Sequence, residues 1–437
     1  MQVRKLRIVG IALLGLLALL LQDHPQLVAA PPTPGVQGPF IGEPVPAFSF
    51  NGDVRQLPQP KSPSPAREAP RPLRRIVPNI PTPGQAAQSD PVRQTQMGTR
   101  AALAPLQNFD GISATGWYPP DPNGDVGPNN YVQAVNIAIG IYNKTGTQLA
   151  AFTFDQLFSN NGGTGTPCDT SNTGDPIVLY DATVDRWILA DMAWPSAGGS
   201  FECIAVSKSG DPTKSWWLYA LPAADQFGDT NNLLNDYPKL AVWSDGYYMS
   251  ANLFDGDTFQ HVRVWALNRS DMTSGVSMRH LYFNVSSSLY SNLLPGNMRG
   301  STLPPAGEPA FFASVDQPNI FHLWKFHVDW STPSHSTFTG PTDMTVTSFN
   351  MPCNAAAIQA CVPELNGESV DSLGDRLMMQ LQYRNLNGTE SLWANHTVAA
   401  NANVGTPTGV RWYEIRDPNG SPFVYQQGTY QPDSNYR

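Results

Sequence analysis

Five acids recur at a similar place in the chain. Asp125, Asp175, Asp236, Glu308 and Asp375 each follow a small or polar residue and stand ahead of an apolar run, at intervals of 50, 61, 72 and 67 residues. Carboxylates at one phase of a repeating unit would form a ring. Such a ring can hold a cation, protonate a ligand, or supply the two carboxyl groups that a glycosidase needs across a scissile bond, so all five are candidate catalytic residues. The same acids equally suit tight turns entering each unit, where a carboxylate accepts backbone N–H groups.

A second arrangement suits a metal. Asp121-Pro122-Asn123-Gly124-Asp125 places oxygen ligands at alternating positions, like the opening of an EF-hand loop, which makes Asp121, Asn123 and Asp125 candidate calcium ligands. Val126 stands where that loop needs glycine and Val132 where it needs glutamate, so other loops would have to complete the site; an Asx-type turn explains the run as well. H-E-x-x-H, G-x-S-x-G, Walker and dinucleotide fingerprints are absent, which argues against zinc proteases, α/β-hydrolases and nucleotide enzymes. The histidines form no ligand-like cluster, and His322 and His327 read as structural. Trp216, Trp217, Tyr247 and Tyr248 could stack on sugar faces if exposed, although their strand spacing suits a core.

The elements that must carry these residues are strands. From 108 onward, short runs rich in Val, Ile, Tyr, Phe and Trp alternate with Gly/Asn/Asp/Pro turns, and helices are expected only in short stretches such as Phe154–Phe158. Each acid opens an apolar strand, then a polar turn, then an aromatic strand. After Asp375 four strand-like runs follow: Leu377–Arg384, Glu390–Ala399, Val410–Asp417 and Pro422–Tyr430. Irregular repeats with room for four strands are what propeller blades need, and a blade buried on both faces accounts for the blurred apolar alternation. Two packed sheets of a sandwich would alternate more cleanly.

Composition divides the chain. Residues 31–107 hold 17 prolines and only three aromatics (Phe40, Phe48, Phe50), so an extended, disordered spacer is expected there. Residues 108–437 hold 42 of the 45 aromatics, enough for one large core. The first 107 residues carry 11 basic and 5 acidic side chains, leaving 15 basic and 30 acidic for the rest; a body this acidic repels phosphate backbones and excludes nucleic acid as a partner.

Arg4, Lys5 and Arg7 precede an apolar run from Ile8 to Leu21, too short to span a bilayer comfortably, and Val28-Ala29-Ala30 offers small residues for cleavage. Residues 1–30 therefore read as a signal peptide cut after Ala30, giving a secreted, extracellular or periplasmic protein with no membrane span; an uncleaved anchor is the rival. In an oxidising compartment the four cysteines fall into two local pairs, Cys168–Cys203 and Cys353–Cys361, read as disulfides.

The run Pro119-Pro120-Asp121-Pro122-Asn123-Gly124-Asp125-Val126-Gly127-Pro128-Asn129-Asn130-Tyr131-Val132-Gln133 resembles a family of exported bacterial β-propeller proteins. Asp175-Pro176-Ile177-Val178-Leu179-Tyr180-Asp181, Asp185-Arg186-Trp187, Asn235-Asp236-Tyr237-Pro238-Lys239 and Asp371-Ser372-Leu373-Gly374-Asp375-Arg376 extend the likeness over most of 108–437. The family is similar, at a distance, to sialidase-type propellers. The resemblance implies a chain that runs on past Tyr436-Arg437, hence a ring lacking a closing blade here, or a short variant closed by Phe109–Tyr118. A sialidase would also need three arginines clamping a carboxylate, for which Arg186, Arg263, Arg376 and Arg411 are candidates by repeat position.

The expectation is therefore an all-β protein: a signal peptide (1–30), a Pro-rich disordered linker (31–107) and a β-propeller of short four-stranded antiparallel blades (108–437), about five of them visible. Its expected function is binding of carbohydrate or another surface polymer. The alternative is a glycoside hydrolase, sialidase-like or related, using carboxylates at the central channel, with calcium as the one cofactor considered.

Overall fold

The structure is a computed structural model that describes residues 33–61, 67–68, 90–96, 104–159, 163–195, 199–223, 233–286, 290–352, 362–363, 367, 369–400 and 407–433. The leader and the Cys353–Cys361 pair lie outside the described residues.

Short strands come first: β1 (Val36–Ile41), β2 (Phe48–Phe50), β3 (Arg67–Glu68), β4 (Arg93–Gln94) and β5 (Trp117–Tyr118). Five four-stranded antiparallel meanders follow. Blade 1 is β6 (Asn123–Val126), β7 (Asn130–Val135), β8 (Ala138–Asn143) and β9 (Gln148–Thr153). Blade 2 is β10 (Asn172–Asp181), β11 (Arg186–Ala193), β12 (Phe201–Ser207) and β13 (Trp216–Pro222). Blade 3 is β14 (Leu234–Val242), β15 (Tyr247–Asp255), β16 (Thr258–Leu267) and β17 (His280–Ser286). Blade 4 is β18 (Leu294–Arg299), β19 (Ala310–Asp316), β20 (Ile320–His327) and β21 (Thr337–Thr345). Blade 5 is β22 (Leu381–Leu386), β23 (Thr389–Ala399), β24 (Thr408–Arg416) and β25 (Phe423–Tyr430).

The first strand of each sheet touches the first strand of the next, from β6 through β10, β14 and β18 to β22. β18 and β22 pair directly and in parallel, Gly296 opposite Leu381. Meanders joined through their first strands have the connectivity of a five-bladed β-propeller, with β6, β10, β14, β18 and β22 innermost. An inner strand leaves one edge of N–H groups unpaired, and side chains of its neighbours satisfy them. Asn123 Oδ1 accepts from Val178 N–H at 3.0 Å, Asp125 Oδ2 from Tyr180 N–H at 2.8 Å, and Asn297 Oδ1 from Val242 N–H at 2.8 Å.

Two apolar cores lie between blades. One joins blades 1 and 2 around Ile139, Phe152, Leu189 and Trp216; the other runs from blade 2 to blade 5 through Ile204, Met249, Phe312 and Tyr413. Cys168 and Cys203 form a buried disulfide, Cα atoms 5.6 Å apart, tying the turn before β10 to β12. The expected helix forms as α1 (Phe154–Phe158), with a Thr153/Gln156 capping box. Asn268 caps a second helix, α2 (Arg269–Ser274), that the sequence reading did not anticipate.

The Pro-rich segment departs from expectation where it is described. Val36–Ile41 pairs with β17, Phe48–Phe50 with β13, and Arg93 with Thr429 on β25, so three blades gain a fifth, outermost strand. The cause is twofold. Each blade's outer strand has an open edge that invites pairing, and sparse apolar residues anchor the tail: Val45, Phe50 and Val54 are buried, and Phe40 stacks on Tyr282. Phe109–Tyr118 supplies no closing strand to a blade; β5 pairs instead with β3.

Candidate functional site

A recurring backbone device sets the geometry at the start of the inner strands. Asp121-Pro122, Asp175-Pro176 and Tyr237-Pro238 each put a left-handed residue, φ of 41°, 57° and 56°, before a proline. Left-handed backbone at a non-glycine residue is uncommon and is held only where its surroundings enforce it. The ladder of β10 with β11 breaks between Gly174 and Ile177, and that of β14 with β15 between Asp236 and Lys239. Such breaks re-aim side chains. The structurally equivalent positions are therefore 121, 175 and 237.

Asn136 locks two of these positions together. Fully buried, it donates from Nδ2 to the Pro119 carbonyl at 2.7 Å and to Asp121 Oδ2 at 2.9 Å, while its Oδ1 accepts from Asp175 N–H at 3.1 Å. A Cβ on Gly174 would come within 2.4 Å of that Oδ1, and its φ of 117° is one that glycine alone adopts easily.

Charges converge on the same end. Lys239 lies half-buried with Nζ 3.5 Å from the centre of the Tyr237 ring, and it donates to the Pro238 carbonyl at 2.7 Å. Burial pulls its pKa down to about 8; Asp175, Asp236 and Asp121 oppose the shift and Arg376 reinforces it. The Arg376 guanidinium sits 4.7 Å from the same Tyr237 ring and grips Asp375 with two hydrogen bonds of 2.7 and 2.8 Å. Burial works against the Arg376 charge, but Asp375 outweighs it and the pKa rises. Burial also pushes the Tyr237 hydroxyl up. The result is a cluster of four carboxylates (Asp121, Asp175, Asp236, Asp375) against two cations.

Two further acids stand behind it, on opposite faces of blade 2, since Glu202 pairs across strands with Met192 and Asp191 with Cys203. Glu202 is fully buried, accepts from Asn235 Nδ2 at 2.8 Å, and is pushed up to about 8 by burial and then by Asp175. Asp191, also fully buried, accepts from Asn172 Nδ2 at 2.9 Å, and burial pushes it well up.

The five expected acids are not one ring. Asp175, Asp236 and Asp375 come together with Asp121. Asp125 lies further along β6, buried, bridged to Arg299 at 2.7 Å and to two backbone amides. Glu308 precedes β19, the second strand of its blade, and its carbonyl accepts from Trp243 just past the end of β14. Asp236 and Trp243 span on the order of 20 Å of strand, so Glu308 belongs to the opposite end of the channel. There Asn419 donates to its carboxylate at 2.8 Å, and burial followed by Glu390 raises its pKa.

The three candidate calcium ligands are placed separately. Asp121 is held by Asn136, and Asn123 and Asp125 satisfy the edge of β10, so the three oxygens are used apart from one another. Among the described residues no group of three His, Cys, Asp or Glu is placed to hold a metal ion. Of the four arginines proposed for a carboxylate clamp, only Arg376 joins this cluster. Arg263 is buried against Tyr282 and the Ala223 carbonyl, Arg411 pairs with buried Asp90 at 2.8 Å, and Arg186 bonds carbonyls of its own turn. Trp216, Tyr247 and Tyr248 are core residues, and Lys208 covers Trp217. Among the described residues no helix is long and apolar enough to cross a membrane.

No protein-family model matches the chain, and no curated protein matches it. Among solved structures it is similar to a family 43 β-1,3-galactosidase bound to galactodeoxynojirimycin, at 10% identity, covering 72% of this chain and 95% of that one, with a TM-score of 0.35. An α-L-arabinanase from Penicillium chrysogenum with arabinobiose matches at 11% identity, over 72% and 82%, TM-score 0.34. A family 43 enzyme from Xanthomonas citri with xylotriose matches at 10%, over 72% and 92%, TM-score 0.32. The blade count and connectivity stand on the strand pairing alone.

Proposed function

We propose that this chain is an exported carbohydrate-binding propeller whose ligand enters a recess at the cluster of Asp175, Asp236 and Asp375. The observation that carries the reading is the convergence of these acids with Lys239 and Arg376 around Tyr237, within or ahead of the inner strands. A sugar hydroxyl both donates and accepts, and the recess offers carboxylate acceptors beside ammonium and guanidinium donors. The excess of carboxylates, on an acidic body, favours a neutral or cationic sugar over a uronic or sialic acid. Tyr237 has its ring engaged by two cations, so the recess would select by hydrogen bonding rather than by stacking.

A second reading, glycoside hydrolysis, is favoured by one feature: Asp175 and Asp236 come from adjacent blades yet both act on Lys239. Two carboxylates facing one ligand are the minimum for acid–base cleavage of a glycosidic bond, and their separation would set the stereochemistry.

A glycan array probed with the full chain, with and without calcium, tests both readings when each hit is followed by product analysis. Retention lost in Asp236→Asn with no product released supports binding. Product release that Asp236→Asn abolishes supports hydrolysis. Retention of no glycan, or retention indifferent to Asp236→Asn, defeats the assignment of this recess. Export rests on the leader, and N-terminal sequencing of the secreted protein should begin at Pro31.

A further inference from the structure

Blade 5 carries a second aromatic feature, built from residues that the acid cluster does not use. Trp393 on β23 and Trp412 on β24 point to the face of the sheet opposite Leu392, Ala394 and Tyr413, which pack into the apolar core. Both indoles are partly buried, and neither belongs to an apolar cluster of the described residues. Their planes are within 22° of parallel and their centres 6.3 Å apart.

The rings lie flat on the sheet. Trp412 faces Gly428 on β25, and a Cβ there would meet Cζ2, Cε2 and Nε1 of the indole at 3.0, 3.1 and 3.1 Å. Near-equal distances to three bonded ring atoms place that direction over the ring face, so the indole lies across β25 in close contact with the glycine. Trp393 is pinned along its own strand by a 3.1 Å hydrogen bond from Nε1 to Ser391 Oγ. Two nearly parallel rings lying flat on adjacent strands are side by side, not face to face.

The surroundings are polar, and Arg384 stands opposite Ser391 on the same face of the sheet. Gln382 is the cross-strand neighbour of Trp393 and Asn395 that of Trp412. Glu414 is neutralised by Arg416 at 2.7 Å and also accepts from Gln426.

We propose that Trp393 and Trp412 form a binding platform for an extended neutral polysaccharide, two sugar rings lying with their C–H faces on the two indoles. Flat aromatic area at low entropic cost suits pyranose faces, and flanking amides suit the equatorial hydroxyls. Charge narrows the class: Glu414 is paired with Arg416, and the body around the platform, 30 acids to 15 bases, repels anionic polymers. This goes beyond the recess, since it provides a separate anchor on the polymer.

The test is co-sedimentation of the full chain with microcrystalline cellulose, chitin and insoluble β-1,3-glucan, alongside the variants. Retention on at least one polymer is expected. Trp393→Ala and Trp412→Ala should each weaken it by about tenfold. Gly428→Ala, which keeps both indoles but pushes Trp412 by a few tenths of an ångström, should weaken it less than either alanine variant, and Trp412→Phe should keep part of it. Val276→Ala, at an exposed position outside both the platform and the acid cluster, should sediment like the unsubstituted protein. Circular dichroism and Tm establish that each variant is folded. Retention on none of the three polymers, or folded tryptophan variants that sediment unchanged, would overturn the proposal. So would a shift in oligomeric state on gel filtration of those variants, because the face would then join two copies of the chain.

Discussion

Asn136 accepts the backbone N–H of Asp175 at 3.1 Å, across 39 residues of sequence and from one blade to the next. The same amide holds Asp121 from its other end, so one buried side chain sets the spacing of two acids in the recess. Asn136→Ala should strand the Pro119 carbonyl and the Asp175 amide, costing about 1–3 kcal/mol and several degrees in Tm. Glycan retention should fall further than in an equally destabilised core variant such as Ile188→Val. Retention that tracks Tm alone would reduce Asn136 to a structural role.

Lys239 should titrate within the working range of the protein. Folded, it releases its proton near 8; unfolded, it holds it to about 10.5. Between those values the unfolded state binds more protons, so stability rises with pH across the window, and the cost of the buried ammonium is fully present below 8. Lys239→Gln should flatten the profile, read by denaturant unfolding at pH 7.5, 9 and 10. A wild-type profile with no slope there means that Lys239 keeps its proton.

Glu202 runs the other way. Its carboxyl ionises near 8 when folded and near 4.5 when unfolded, so the folded state binds more protons between these values and stability declines as pH rises through them. Glu202→Gln preserves the hydrogen bond geometry with Asn235 and removes the charge. It should raise Tm by several degrees at pH 8 and much less at pH 5, checked by calorimetry. An equal effect at both values would mean that Glu202 is already ionised.

The Cys168–Cys203 bond closes a loop with a sequence separation of 35, which predicts about 3–4 kcal/mol of stabilisation by restriction of the unfolded chain. The Cys168→Ala/Cys203→Ala double variant should show that loss in urea unfolding. It should also weaken ligand retention, since Asp191 is the cross-strand neighbour of Cys203.

Much of the fold was legible before the structure. The aromatic-and-turn rhythm identified four-stranded units, and three of the four runs expected after Asp375 match β23, β24 and β25 within two residues; β22 begins four residues later than expected, after a loop at 377–380. The site was legible only in part. Counting acids aligned Asp175 with Asp236, one residue out of phase. The signal that would have corrected it is the X-Pro pair at 121–122, 175–176 and 237–238. Lys239 and Arg376 were unreadable as a pair because a shared aromatic ring joins them across 137 residues, and Glu202 looks like any polar residue in a strand until its burial is seen. The tail strands β1 and β2 were missed because local composition does not reveal a distant edge.

The β1 pairing bears on how the molecule is assembled. Val36 and its neighbours have no partner until His280–Ser286 has been made, so a chain emerging from its first residue carries this strand unmatched through the synthesis of two whole blades. Docking of the tail is therefore a closing event. Until then the rim of blade 3 is open to pairing with other chains, and the tail acts as a built-in guard against association during maturation.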